Sequence, residues 1–163
     1  MNETNIVIIG MPGAGKTSVA RAVARAVNRP LIDIDTEVEK THGPIPEIFE
    51  REGEKAFRAY EKAAVEKAAR HTGVVIATGG GTLLDPENTR ALKRAGRLYW
   101  ITRPLETLAT DGRPLSKGGL QTLEKLYGER KEIYAQAADA VVKNTTVEEA
   151  AEAILARENV TKA

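Results

Sequence analysis

The chain has 163 residues, enough for one domain with a real core, and its 42% hydrophobic and 29% charged content is ordinary for a globular protein in water. Lys plus Arg number 24 against 23 Asp plus Glu, so the clear basic excess of nucleic-acid and anionic-membrane binders is missing. Cysteine is absent, which removes disulfides, thiolate metal sites and cysteine nucleophiles together.

The opening MNETNIVIIG has no basic region, and its apolar run is too short for a signal peptide or a membrane span. A cytoplasmic monomer without nucleic-acid or membrane partners is therefore expected. NIVIIG (5–10) has the character of a strand buried on both faces. KTSVARAVARAVNR (16–29) sets Val19, Val23 and Val27 on one side and Arg21, Arg25 and Arg29 on the other. That is an amphipathic helix with a solvated arginine face, ended by Pro30. LIDID (31–35) reads as a second strand and GVVIAT (73–78) as a third. The helical region between them breaks near HGPIP (42–46) and resumes as one helix over 47–71. PENTRALKRAG (86–96) predicts a helix with Gly96 at its C-terminal end, and RLYWIT (97–102) a fourth strand. TDGRPLSKGGLQ (110–121) is polar and glycine-hinged, either plain surface or a moving lid. A long helix over roughly 120–137, a fifth strand at DAVVKN (139–144) and a helix over 146–157 complete the chain. Five strands joined by helical crossovers imply an α/β fold, with a parallel sheet covered on both faces.

Gly10-Met11-Pro12-Gly13-Ala14-Gly15-Lys16-Thr17 matches G-x-x-x-x-G-K-[ST] in full, between a strand and a helix. Glycines let successive N–H groups turn inward around a phosphate, and the following helix aims its positive end there. Lys16 would span the β- and γ-phosphates and the Thr17 hydroxyl would ligate Mg²⁺. Gly13, Ala14, Gly15, Lys16, Thr17 and Ser18 are thus the expected phosphate set of a nucleoside-triphosphate site. The motif does not separate kinases from switch GTPases or motor ATPases.

Ligands of open parallel sheets bind outside the carboxyl ends of the strands. Two more features fall at such ends: Asp33-Ile34-Asp35, and the triple glycine of VVIATGGGTLL. On a strand, Asp33 and Asp35 would face the same side. One could hold Mg²⁺ and the other accept a proton from an attacking hydroxyl. The plainer reading makes Asp35 the N-cap of the helix that follows. Gly79, Gly80 and Gly81 end a core strand with no Gly-Lys-Ser/Thr after them, so they lack the parts of a second triphosphate cradle and point instead to a close approach to their backbone. Arg58 has Glu61 at i+3, which on its own reads as a weak surface ion pair. Arg130 is unremarkable alone, and Arg113 on the lid segment would close over a transferring phosphoryl group.

In combination, GMPGAGKTSVAR, LIDIDTEVEKTHGPIPEIFEREGEKAFRAYE, VVIATGGGTLL, GRPLS and RKEIYAQAAD resemble the shikimate kinase family over about residues 5–156. The resemblance implies a single-domain P-loop kinase fold over 1–163, with strand order 2-3-1-4-5. It also implies a substrate-binding helical region at about 36–71 and a lid at about 110–121. The implied activity is transfer of the ATP γ-phosphate to the 3-hydroxyl of shikimate, with Mg²⁺ as cofactor. Asp35 would bind the shikimate hydroxyls and act as base, and Asp33 would help hold Mg²⁺ with Thr17. Arg58 and Arg130 would clamp the shikimate carboxylate, with Glu61 orienting Arg58. Gly79, Gly80 and Gly81 would bring backbone against the ring, so a bulky residue at Gly80 is expected to block shikimate and spare the nucleotide, and Arg113 would reach the ATP phosphates. No basic residue lies between Arg103 and Arg113, where family members carry an arginine near adenine, so no adenine contact is assigned. The alternatives are another small-molecule kinase, for gluconate or a nucleoside monophosphate, or a nucleotide-dependent switch protein that transfers nothing.

Overall fold

In the computed structural model, which describes residues 4–104, 107 and 119–158, one parallel sheet is built from five strands. These are β1 (Asn5–Ile9), β2 (Leu31–Asp33), β3 (Val75–Ala77), β4 (Gly96–Thr102) and β5 (Ala140–Lys143), in the order β2-β3-β1-β4-β5. The helices are α1 (Lys16–Val27), α2 (Ile34–His42), α3 (Ile45–Glu52), α4 (Glu54–Ala69), α5 (Pro86–Ala95), α6 (Gly119–Ala137) and α7 (Val147–Arg157). No helix among the described residues is long and apolar enough to cross a membrane.

The central strand shows why both faces must be covered. Val7 pairs with Ile76 and Leu98, and all three point into the layer formed with α4, α5 and α6. Ile8 pairs with Ala77 and Tyr99, and these point into the opposite layer, against α1 and α7. Ile6, Val7, Ile8 and Ile9 have no exposed surface. Burying an aliphatic side chain of this size contributes about 1.5–3 kcal/mol, so the run is stable only between two helical layers.

Three boundaries differ from expectation, each for a local reason. β2 stops at Asp33, because that side chain turns back to accept the Thr36 N–H at 3.1 Å and caps α2. Asp35 therefore sits in the first turn of a helix, and it is Asp33, not Asp35, that is the cap. The helix expected over 47–71 is two helices broken at Gly53, whose φ is 90°. Ile48 and Phe57 both pack on Val38. They are nine residues apart, which in one unbroken helix would put them about half a turn out of phase. The break lets both face one small core. α1 closes at Asn28, a left-handed cap two residues before Pro30.

The carboxyl ends of all five strands lie along one edge of the sheet. That edge carries the segment after Ile9, the Asp33 cap, the glycines after Ala77, Arg103 after β4 and Asn144 after β5.

Candidate active site

The phosphate loop leaves β1 at Gly10 and returns as α1. Lys16 is buried, and its ammonium donates to the carbonyls of Gly10 at 2.7 Å and Met11 at 2.9 Å. The carbonyls of Gly13 and Ala14 are held from outside the loop. Arg103 Nη1 donates to Gly13 O at 2.9 Å, and Asn144 Nδ2 to Ala14 O at 2.7 Å. Within one trans peptide the C=O and N–H point in opposite directions, so anchoring the Ala14 carbonyl outward turns the Gly15 N–H inward, while the Ala14 N–H closes the loop's own turn on Met11 O at 3.1 Å. Gly15 has φ of 88°, and a Cβ there would lie 2.5 Å from Asn144 Nδ2. Only glycine fits both conditions. Thr17 and Ser18 are exposed at the opening of α1.

Asp33 and Asp35 come together differently from two residues on one strand. Asp33 uses one oxygen for its cap and accepts the Thr17 hydroxyl on the other at 2.9 Å. A threonine hydroxyl beside a carboxylate is an oxygen donor set that suits Mg²⁺, which takes few protein ligands and keeps waters and phosphates. Asp35 is offered to the site from the first turn of α2. Burial pushes its carboxyl up to about 6, with Asp33 and then Glu61 adding repulsion and Lys16 opposing them. A carboxylate so placed is a stronger base than usual yet still largely ionised at neutral pH.

The three glycines each make a different close approach. A Cβ on Gly79 would lie 2.8 Å from Asp35 Oδ1, and one on Gly81 would lie 2.7 Å from the Arg58 guanidinium. One on Gly80 would lie 2.5 Å from Cγ of Pro12, a residue of the phosphate loop. The turn is thus wedged between Asp35, the phosphate loop and Arg58 at once. This revises the expectation that bulk at Gly80 would spare the nucleotide, since a side chain there presses on the phosphate loop.

Arg58 is not in a surface pair. Its Nη1 bonds Glu61 Oε1 at 3.0 Å, and Glu61 keeps only 2% of its side-chain surface. Glu61 Oε2 accepts the Thr82 hydroxyl at 2.9 Å, and that hydroxyl accepts the Gly79 N–H at 2.9 Å. On the far side, Arg130 Nη1 and the buried Tyr134 hydroxyl both donate to Gly80 O, at 2.8 and 2.7 Å. Two arginines from different helices therefore flank one glycine turn, where they could grip a single carboxylate.

Gly13, Ala14, Gly15, Lys16, Thr17, Ser18, Asp33, Asp35, Arg58, Glu61, Gly79, Gly80, Gly81 and Arg130 all lie along the carboxyl edge of the sheet or the helices beside it. Arg113 and the lid up to position 118 lie outside the described residues. Sequence reasoning missed Pro12, Thr82, Arg103, Tyr134 and Asn144. Arg103 and Asn144 each stand just past a strand, which is the signal that had picked out Asp33. Tyr134 lies one helical turn beyond Arg130, on the same face.

The chain is similar in sequence and in fold to known proteins. The family model described as shikimate kinase matches residues 12–159. A shikimate kinase of Persephonella marina is 39% identical over 139 residues, covering 82% of this chain and 85% of its own. One from Cupriavidus pinatubonensis is 41% identical over 150 residues, covering 85% and 76%. Among solved structures, shikimate kinase from Acinetobacter baumannii in complex with shikimate superposes with a TM-score of 0.90 at 32% identity, covering 96% of this chain and 93% of that one.

Proposed function

This chain belongs to the shikimate kinase family, and from that membership we infer that it transfers the γ-phosphate of ATP to the 3-hydroxyl of shikimate. The single observation that carries the reading beyond a generic phosphate loop is the glycine turn. It touches Asp35, Pro12 of the phosphate loop and Arg58 through three consecutive residues.

The division of labour is as follows. The N–H groups of residues 13–18 would cradle the phosphates, with the Ala14 N–H and Lys16 exchanging the carbonyls of Gly10 and Met11 for phosphate oxygens. Thr17 and Asp33 would hold Mg²⁺, which would offset phosphate charge. Arg58, fixed by Glu61, and Arg130 would clamp the shikimate carboxylate, and the backbone of Gly79–Gly81 would lie against the ring. With the carboxylate clamped, Asp35 is the group left to meet the ring hydroxyls and take the proton of the attacking one. Arg113 would close over the phosphates from the lid. A cysteine-free, ATP-consuming chain suits the cytoplasm.

The test is a coupled ADP-release assay with shikimate, gluconate and nucleoside monophosphates as acceptors. Turnover is expected with shikimate and Mg²⁺-ATP. ATP consumption unchanged by shikimate would overturn the assignment, and turnover with gluconate instead would move it to the neighbouring kinase class.

A further inference from the structure

One fully buried polar side chain joins two parts of the acceptor site, and no catalytic or binding role has been given to it. Thr82 opens the short 3₁₀ turn after the glycines and has no exposed surface. Its hydroxyl donates to Glu61 Oε2 and accepts from the Gly79 N–H, each at 2.9 Å. A hydroxyl has one proton, and the Gly79 amide can only donate. The direction of the chain is therefore fixed: Gly79 N–H to Thr82, Thr82 O–H to one Glu61 oxygen, and Arg58 Nη1 to the other Glu61 oxygen at 3.0 Å. The Thr82 backbone is pinned as well, its carbonyl accepting from Asn88 Nδ2 at 3.0 Å and its N–H bonding Gly79 O at 3.3 Å. Asn88 is itself buried.

The consequence is geometric. Gly79 is the glycine against Asp35, and Gly81 is the glycine against Arg58. The hydroxyl thus ties the guanidinium, through Glu61, to the turn that also borders the base. Without it, Glu61 keeps one buried oxygen with no donor and Gly79 keeps one N–H with no acceptor. Groups left so relax by moving toward water or one another. Either movement changes the separation between the arginine and Asp35.

We propose that Thr82 is a positioning residue for the acceptor: its hydroxyl sets the distance between the carboxylate-gripping Arg58 and the glycine edge beside Asp35. Its loss therefore weakens shikimate binding and leaves ATP binding alone. This rests on shikimate being the acceptor. The phosphate loop shares none of the three hydrogen bonds, which is why the effect falls on one substrate only.

Thr82→Val removes the hydroxyl at constant shape, Thr82→Ser removes only the methyl, and Thr82→Ala removes both. The readouts are shikimate Kd by calorimetry, the KM for each substrate, kcat and the unfolding midpoint. The wild type is measured first; if shikimate elicits no turnover there, the inferred activity fails and the proposal goes with it. Given wild-type turnover, the Val and Ala variants are expected to raise shikimate Kd and KM on the order of tenfold or more, since a hydrogen bond to a charged group is lost. KM for ATP should stay within about twofold, and Ser should restore shikimate binding. Should Val fail to fold, the Ala and Ser pair carries the same contrast. Three results would each overturn the proposal: unchanged shikimate binding in the Ala or Val variant, an equal rise in the KM for ATP, or a Ser variant as impaired as Ala.

Discussion

Arg58→Ala should damage the protein in two separable ways. Glu61, at 2% side-chain exposure, has two charge-neutralising or hydrogen-bonding partners among the described residues, Arg58 at 3.0 Å and the Thr82 hydroxyl at 2.9 Å. Removing the guanidinium leaves a carboxylate facing the interior with a single neutral donor. Breaking a fully buried pair costs about 3–5 kcal/mol, while exposed pairs are worth about 0–1. Arg58 keeps 31% of its side-chain surface, so water reaches part of the pair and the loss should be about 2–4 kcal/mol. The second contact of Arg58, with the 65%-exposed Glu54 at 3.5 Å, adds little. Urea unfolding at fixed pH measures the stability term, and shikimate calorimetry measures a further binding loss of about 2–4 kcal/mol. Adding Glu61→Gln removes the stranded charge, so the double variant should regain most of the stability and none of the affinity. If Arg58→Ala unfolds within about 0.5 kcal/mol of wild type, the pair behaves as a solvated one and the reasoning fails. Affinity restored in the double variant would show that Arg58 acts on shikimate only through stability.

Asp35→Asn should stabilise the metal-free, ligand-free protein while abolishing most turnover. A carboxyl raised from 3.8 to about 6 binds its proton more tightly when folded, so wild-type stability falls as pH rises through that window and levels off above it. The variant lacks this loss and should gain up to about 3 kcal/mol at pH 7.5, with the advantage gone near pH 4. Equal stability differences at the two pH values, measured in chelator, would exclude the burial effect. Asn144→Ala frees the Ala14 carbonyl and should raise the KM for ATP roughly tenfold with shikimate binding unchanged; a change in shikimate Kd alone would refute the loop-anchoring role. Gly81→Ala meets only the movable end of Arg58, whereas Gly80→Ala meets the Pro12 ring. The first should raise the KM for shikimate alone and the second the KM for both substrates. Identical profiles would mean that the two neighbours do not divide as described.

The sequence by itself determined whatever depends on near neighbours in the chain. The phosphate loop lies within eight residues, and its function follows from local backbone geometry, so Gly10 to Thr17 was legible before any fold was known. The doubly buried strands announced themselves as apolar runs, because a central parallel strand has no polar face to show. Likewise the helix of α1 followed from the four-residue spacing of its valines. Tertiary structure alone decided the rest. Whether Asp33 or Asp35 caps the helix turned on where β2 stops, and that depends on which oxygen is drawn to Thr36 and which to Thr17. Glu61 looked like half of a surface pair, because i+3 spacing is the same on a wet face as on a dry one. What buries it is the glycine turn, with Thr82 bonding it from 21 residues away. Asn144 reaches Ala14 across 130 residues, and Arg103 reaches Gly13 across 90. No local pattern encodes such contacts. They exist because a parallel sheet brings the carboxyl ends of all its strands to one edge, whatever their separation along the chain. The triple glycine belongs to both accounts. Its composition said that something must come close, and the fold supplied three neighbours, Asp35, Pro12 and Arg58, one for each missing side chain.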